Sequence, residues 1–384
     1  MKLVTSPYLK ISKSMIINEL YGNSLEISDD MKIFLELFKN PIDLSEIKKT
    51  VEAEDIDNIV NELLRGGYLI DAEKPDYEQI SPVNITNLKV QTICGSQPGR
   101  LIEDISSDKE IIGFIGIPYY RGSARFSGSS EDVQLIRKFS SKYSYLTLDE
   151  DGYTVGWYEP KYNKHVLKGK TIKDYGDLSM TNNQKLDISQ IKRLSKEISE
   201  ATILPIYIGG DHSISSPIIE SLAEKYNELQ VIQMDAHNDL GRQRWGVVEH
   251  GSFVTNILSN DYVKKIIQLG VRGPQHRIIE DPKLITKYNK DINGVLKFLD
   301  KGTPTYITID CDVFDPTLVP EVSYPVPDGW TYNEFLKITG DLFKELNIVG
   351  IDVVEFNPKN GLSDVSLATI SSLFLSILGL LGDF

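Results

Sequence analysis

The chain of 384 residues reads as an α/β protein built on a parallel sheet, preceded by a small α+β module. Two observations predict this. From about residue 109 onward, short apolar runs recur with helix-like segments between several of them, the pattern of a parallel sheet covered on both faces. Before about residue 72 the periodicity is mainly helical, with brief β-like runs beside it. Residues 73–108 are polar, carry Pro75, Pro82 and Pro98, and read as a connector or surface-hugging arm.

In the first module, Tyr8 to Ile11 and Met15 to Tyr21 are expected strands. Ser28 is placed to N-cap a helix over Asp29 to Lys39, whose first two aspartates favour the positive end of the helix. Leu44 to Val51 and Ile56 to Arg65 space their apolar residues as helices do. Gly66-Gly67 ends the last of these, and Tyr68-Leu69-Ile70 follows as a strand. Helices closed by a terminal strand suggest a winged-helix-like arrangement. In the larger part, the expected strands are Ile111 to Ile117, Ile203 to Ile208, Leu229 to Met234, Ile266 to Val271, Thr305 to Ile309 and Ile348 to Val353. The most apolar stretch, Val365 to Leu381, is interrupted by serines, a threonine and a glycine, and reads as a last buried helix.

Composition narrows the function. Hydrophobic residues make up 41% of the chain and charged ones 25%, ordinary for a soluble globular protein. The net charge of −14 repels nucleic acid and anionic lipid and attracts cationic substrates or basic peptides. Two cysteines, Cys94 and Cys311, cannot build a disulfide framework or a Cys-rich zinc site. The first residues lack the long apolar core of a signal peptide. A cytoplasmic protein with neither nucleic-acid nor membrane partners is therefore expected.

Three of the predicted strands run into residues that bind metal. One ends in Gly209-Gly210-Asp211-His212-Ser213, the next in Asp235-Ala236-His237-Asn238-Asp239, the third in Asp310-Cys311-Asp312. Residues two apart on a strand share a face, so Asp235, His237 and Asp239 can face one site if the extended backbone persists, and Asp310 with Asp312 can join them. Functional groups collect beyond the carboxyl ends of strands in such sheets. Four carboxylates and two imidazoles suit two oxygen-loving ions sharing carboxylates. Mn²⁺ fits best, with Zn²⁺, Ni²⁺ and Fe²⁺ still compatible.

These segments resemble the signature motifs of the ureohydrolases, the arginases, agmatinases and their relatives. The resemblance runs from about Ile111 to the C-terminus and includes Phe114-Ile115-Gly116-Ile117-Pro118, Asp174-Tyr175-Gly176-Asp177 and Asp352-Val353-Val354-Glu355-Phe356-Asn357-Pro358. It implies a three-layer α/β/α arginase-like fold and two Mn²⁺ per chain. Asp235 and Asp310 would bridge the ions, His212 and Asp239 would complete one shell, and His237 and Asp312 the other. A bridging water would ionise near neutral pH and attack a guanidinium carbon. Asp239 would orient it, Glu355 would pair with the guanidinium, and His250 would shuttle protons or contact substrate. His165 and His276 match nothing in the family and read as structural or surface residues.

The chain also departs from the family. Where arginases hold the α-carboxylate and amine of free arginine, an asparagine two residues after the last aspartate is here Gly241, and the following Arg242 to Glu249 loop differs. Tyr324 and Glu321 replace usually small residues. Arg242 or Arg244 could hold a carboxylate or peptide carbonyls, and Trp245 could stack on substrate. Residues 1–80 carry nine Lys+Arg against sixteen Asp+Glu, a net −7 that argues against DNA. The first module rather resembles the small domains that grip leader peptides by adding a strand to their sheet. A ureohydrolase with such a module, residues 1–72, ahead of a catalytic domain at 109–384 resembles a peptide arginase, which turns arginine side chains of a precursor peptide into ornithine. A small-molecule guanidino hydrolase and a non-catalytic binding protein of the same fold are the competing expectations. Relatives of this kind form trimers or hexamers, so self-association is expected.

Overall fold

The computed structural model describes residues 1–12, 14–18, 24–51, 55–73, 85–86, 91–105, 110–123, 131–143, 156–159, 164–167, 169–181, 183–242, 248–288, 294–358 and 364–381. The chain divides into two compact units. One is Met1–Asn84 with Asn183–Gln190, and the other is Ile85–Asn182 with Ile191–Phe384.

The first unit is α+β. Strand β1 (Lys2–Thr5) pairs antiparallel with β5 (Ile42–Asp43) on one side and β6 (Leu69–Asp71) on the other. A second antiparallel sheet runs β2 (Leu9–Ile11), β3 (Met15–Asn18), β4 (Ser24–Glu26). Helices α1 (Asp29–Glu36), α2 (Leu44–Thr50) and α3 (Ile56–Arg65) bury Leu35, Ile47, Val60 and Leu63 against Leu3, Ile16, Phe38 and Leu69. Ser28 does cap α1, its Oγ accepting the Met31 N–H at 3.2 Å. The α-helix stops at Glu36 rather than Lys39, the next residues tightening into i→i−3 turns in which the Leu37, Phe38 and Lys39 N–H groups donate to Phe34, Leu35 and Glu36. The strand expected to reach Tyr21 is described as far as Asn18, and residues 19–21 lie outside the described set. The central strand β1 had no counterpart in the sequence reading: four residues are too few to show a period.

The second unit is built on a ten-stranded sheet. Its order is β16 (Leu284–Tyr288), β15 (Val263–Val271), β14 (Leu229–Met234), β17 (Thr305–Asp310), β18 (Ile348–Val354), β13 (Leu204–Gly209), β9 (Ile111–Ile117), β12 (Thr171–Leu178) and β7 (Ile85–Thr86), with β8 (Gln97–Pro98) also on β12. All neighbours are parallel except the pair made by β7 and β12. Strands β10 (Trp157–Glu159) and β11 (Lys164–Val166) form a separate antiparallel pair. Strands β9, β13, β14 and β17 are buried at every residue. That explains their largely apolar reading, broken in β14 and β17 by Gln230, Gln233, Thr305 and Thr308, since helices cover both faces. One large core joins the sheet to α5 (Glu131–Ser140), α9 (Tyr332–Glu345) and α10 (Asp364–Leu381). Helix α10 is the apolar C-terminal stretch. It is long and apolar enough to cross a membrane, yet Leu367, Ile370, Leu373, Phe374 and Ile377 are buried in this core. Helices α6 (Gln184–Ala201), α7 (Ser215–Tyr226) and α8 (Phe253–Leu258) complete the αβ alternation, with α4 (Leu101–Ile105) ahead of β9.

Part of the stretch read as a connector packs within this unit. Ile93 and Cys94 are buried in its core, and their backbone N–H groups donate to Asp174 Oδ2 at 2.9 Å and Ser140 Oγ at 3.1 Å. Two apolar residues in a polar surround leave too weak a signal to be read as core.

Two features of the sheet prepare a site at its carboxyl edge. Strands β14, β17, β18 and β13 are consecutive, so their carboxyl ends lie side by side. Across the sheet, one register level pairs Thr286, Gln268, Gln233, Thr308, Asp352 and Tyr207 in turn, a polar rung in an otherwise apolar sheet.

Candidate metal centre and active site

Beyond those four strand ends the chain turns at once. Asp211 N-caps the short turn His212–Ile214, and its Oδ2 accepts the N–H groups of Gly122 and Ser123 at 2.8 and 3.0 Å. Gly210 permits the close passage before it, since a Cβ there would lie 1.7 Å from the Tyr119 carbonyl oxygen. Asp310 caps the turn Cys311–Val313 through the Asp312 N–H at 2.8 Å.

These turns gather six side chains into two overlapping groups. His212 Nδ1 lies 3.1 Å from Asp235 Oδ2, 3.2 Å from Asp239 Oδ2 and 3.2 Å from Asp310 Oδ2. His237 Nδ1 lies 2.9 Å from Asp312 Oδ2 and 3.6 Å from Asp235 Oδ1. Asp235 thus turns one oxygen to each group and is the shared carboxylate; Asp310 stands with the His212 group. The His212 side is closed, that imidazole being 1% exposed and stacked on Phe253, whereas His237 is 31% exposed.

Convergence does not arise by the strand alternation expected from the sequence. Strand β14 ends at Met234. Asp239 returns to the site because its backbone turns left-handed, at φ 48°. Asp312 arrives on a helical turn instead of an extended strand. The side chains do come together, but alternation accounts for that only as far as the strand end.

The donor set fits divalent cations. Asp352 accepts from Thr308 Oγ1 at 2.5 Å, Ser215 Oγ at 2.6 Å and Tyr306 Oη at 2.7 Å. With its proton committed to Asp352, Thr308 accepts from His212 Nε2 at 2.8 Å. That leaves Nδ1, a buried nitrogen without a hydrogen-bond partner, aimed at three carboxylates, whose charge outweighs burial and raises the imidazole well above its ordinary range. Carboxylates gathered this closely favour positive charge between them, a proton or a metal ion. The protonation energetics agree. Burial pushes Asp239 up to about 6, with the Asp235 charge adding to it. Burial pulls the His237 imidazole down, but Asp235 and Asp312 outweigh it and hold it up at about 12. The cavity attracts positive charge, and its oxygen-rich donors are those of hard ions.

Glu355 lies beside this centre in left-handed backbone, at φ 64°. Its N–H donates to the Gly210 carbonyl at 2.9 Å, which pins the residue in place. Its Oε1 accepts the His212 N–H at 2.9 Å and stands 3.1 Å from His250 Nδ1. Burial draws the His250 imidazole down, yet the Glu355 carboxylate raises it to about 9. Tyr324 forms a wall here, its ring 5.5 Å from that of His250 and 6.3 Å from that of His237. Glu321 points elsewhere and accepts from Ser366 Oγ on α10. Gly241 donates its N–H to the Gly251 carbonyl at 2.8 Å, and Arg242, next along, is exposed. Trp245 and Arg244 lie outside the described residues.

The sequence reading missed Thr308, Tyr306, Ser215 and Gln233 as partners of the site. Thr308 and Gln233 each sit two residues before a strand-end aspartate, on the same face, and a polar residue inside an apolar run was the available signal.

An α/β/α sheet that presents paired His/Asp groups and a buried glutamate at adjacent strand ends defines a metal-dependent hydrolase. Residues 110–379 match the Arginase family, and the chain belongs to it. Members of this family hydrolyse amidines with two metal ions. Arginase 2, chloroplastic/mitochondrial, of Arabidopsis thaliana is 26% identical over 296 residues, which cover 72% of this chain and 82% of that protein. The fold is similar to a putative agmatinase from Clostridium difficile, with a TM-score of 0.60 and 24% identity over 72% of this chain and 98% of that one. It is also similar to a Trypanosoma cruzi formiminoglutamase described with Mn²⁺, with a TM-score of 0.59 and 17% identity over 74% and 98%.

Proposed function

We propose that this arginase-family hydrolase acts on arginine side chains within a peptide, with two Mn²⁺ ions, leaving ornithine and releasing urea. The observation that carries this reading is at Gly241. The position expected to hold the backbone end of free arginine has no side chain. It also has no room for one, since a Cβ would lie 2.4 Å from the Gly251 carbonyl oxygen. A substrate whose backbone end is not clamped there suits arginine in a longer chain.

The first unit supports the same reading. Among the described residues strand β4 is a sheet edge, and Leu25 on it and Ile33 on α1 are 37% and 67% exposed. An open edge with apolar side chains accepts an added strand, and the acidic charge of residues 1–80 favours a basic segment.

His212, Asp235, Asp239 and Asp310 would hold one ion, and His237, Asp312 and the shared Asp235 the other. Bound there, such ions would lower the pKa of water toward neutrality. Glu355 orients the planar cation by a carboxylate–guanidinium pair beside the His212 group. Asp239 would accept a proton from the attacking water. His250, braced by Glu355 through Nδ1, has Nε2 free to pass a proton to the leaving amine. Water adds its oxygen to the guanidinium carbon, the bond to the side-chain nitrogen breaks, and that nitrogen leaves as the ornithine amine.

The test uses the full chain with Mn²⁺ and measures urea and product mass with free arginine, agmatine and a basic arginine-containing peptide. Urea with loss of CH₂N₂ from the peptide is expected. Turnover of arginine or agmatine with an inert peptide overturns the peptide reading and favours a small-molecule guanidino hydrolase.

A further inference from the structure

We infer that Gln233 is a positioning residue for the shared carboxylate Asp235, held in its working orientation by a relay of side chains that crosses three strands. Gln233 and Gln268 are both 0% exposed, at paired positions on β14 and β15. Uncharged amides are costly to bury unless every polar atom is used. Here they are used in one direction only.

The direction is set by a single backbone group. Gln268 Nε2 lies 2.6 Å from the carbonyl oxygen of Asn238, which can only accept. That atom of Gln268 is therefore the nitrogen, and its second hydrogen donates to Gln233 Oε1 at 2.7 Å. The far side of Gln268, its Oε1, accepts from Thr286 Oγ1 on β16 at 2.6 Å. With its oxygen engaged by Gln268, Gln233 must present its nitrogen to the metal centre. Nε2 donates to Asp235 Oδ2 at 2.7 Å and reaches Asp239 Oδ2 at 3.5 Å. Asp235 Oδ2 is also the oxygen turned toward His212. Its other oxygen is fixed by the His237 N–H at 2.6 Å. The two hydrogen bonds hold Asp235 with one oxygen toward each group of donors.

The same three residues form half of the polar rung across the sheet; Thr308, Asp352 and Tyr207 form the other half, in which Thr308 and Asp352 orient His212. One half sets an imidazole and the other a carboxylate, so the rung is a floor on which the centre is laid. Residues that orient metal ligands in this way typically change metal affinity or activity by about 10- to 100-fold when removed.

The inference rests on Asp235 being a metal ligand. It is tested by replacing Gln233 with Leu and measuring Mn²⁺ affinity by calorimetric titration, with thermal unfolding of the metal-free protein alongside. Gln230→Leu is the control. Gln230 lies on the same strand, 2% exposed, but donates to Asp300 O and Thr305 Oγ1 at the opposite end from the site. Both variants lose buried hydrogen bonds and are expected to unfold earlier. Gln233→Leu alone is expected to weaken Mn²⁺ binding by about 10- to 100-fold. Gln268→Met, which leaves Gln233 in place without its donor, is expected to shift affinity in the same direction by less, and decides the matter if Gln233→Leu does not fold. Mn²⁺ affinity unchanged in Gln233→Leu, or in Gln268→Met where that arm decides, overturns the inference. So does an equal loss in Gln230→Leu, which would mark a general structural effect. A parent protein that takes up no Mn²⁺ overturns the ligand assignment as well, so the two failures are distinguishable.

Discussion

Replacing Gly241 with asparagine restores the residue expected of a free-arginine hydrolase, and the structure predicts that it fails to restore the activity. The new Cβ would lie 2.4 Å from the Gly251 carbonyl oxygen, about 1 Å inside ordinary contact. Backbone is the obstacle, so no side-chain rotation relieves it. The loop must part, breaking the 2.8 Å hydrogen bond from Gly241 N to Gly251 O and loosening the 2.9 Å bond from Thr255 Oγ1 to Gly241 O. Overpacking of this kind costs about 1–3 kcal/mol. In a unit of this size that lowers Tm by roughly 1.5–2 °C for each kcal/mol. Gly251 adjoins His250, so the strain is passed to the 3.1 Å contact between His250 Nδ1 and Glu355. A shift of about 1 Å there is enough to reduce kcat on the order of 100-fold. Differential scanning fluorimetry and urea release from both free arginine and an arginine peptide check this. An unchanged Tm together with newly acquired turnover of free arginine would refute the reasoning, because it would mean the loop has room for the side chain.

The geometry predicts three other outcomes. Glu355→Gln is expected to retain both metal ions by elemental analysis and lose about 10- to 100-fold in kcat/KM, the worth of one charge-assisted pair; undiminished turnover would remove Glu355 from substrate binding. His250 stands at about 9 against its ordinary 6.5. The stabilisation is fully present below 6.5 and is lost as pH rises through about 9, with a ceiling of about 3 kcal/mol. His250→Asn should therefore be less stable than the parent below that window and close to it above, as denaturant unfolding from about pH 6 to about pH 10 would show. Arg137 is wholly buried and donates to both Asp174 and Asp177. Arg137→Met should cost about 3–5 kcal/mol by stranding two carboxylates, and a Tm near that of the parent would contradict this account.

The sheet was legible because its strands are buried on both faces, which leaves mostly apolar residues to read between the turns. The candidate ligands stood out because strand ends stop being apolar abruptly, at Asp235 and Asp310. What the sequence did not disclose was how Asp239 and Glu355 arrive, since φ is set by the tertiary turn and not by residue type. Nor did it disclose the rung beneath them. Gln233, Thr308 and Asp352 look like ordinary interruptions until the register aligns them. Short elements such as β1 and β5 leave no period, and Ile93 with Cys94 is too brief an apolar pair to stand out from a polar stretch.

The left-handed backbone at Asp239 and Glu355 has a consequence for anyone engineering this chain. Each carries a charged side chain in a conformation that glycine adopts freely and that costs other residues about 1–2 kcal/mol. Selection for thermal tolerance alone, blind to turnover, would find relief at these two positions and drift toward glycine or asparagine, exchanging the centre for a calmer fold. A library aimed at a hardier enzyme should hold both codons constant and seek its gains on faces remote from the strand ends.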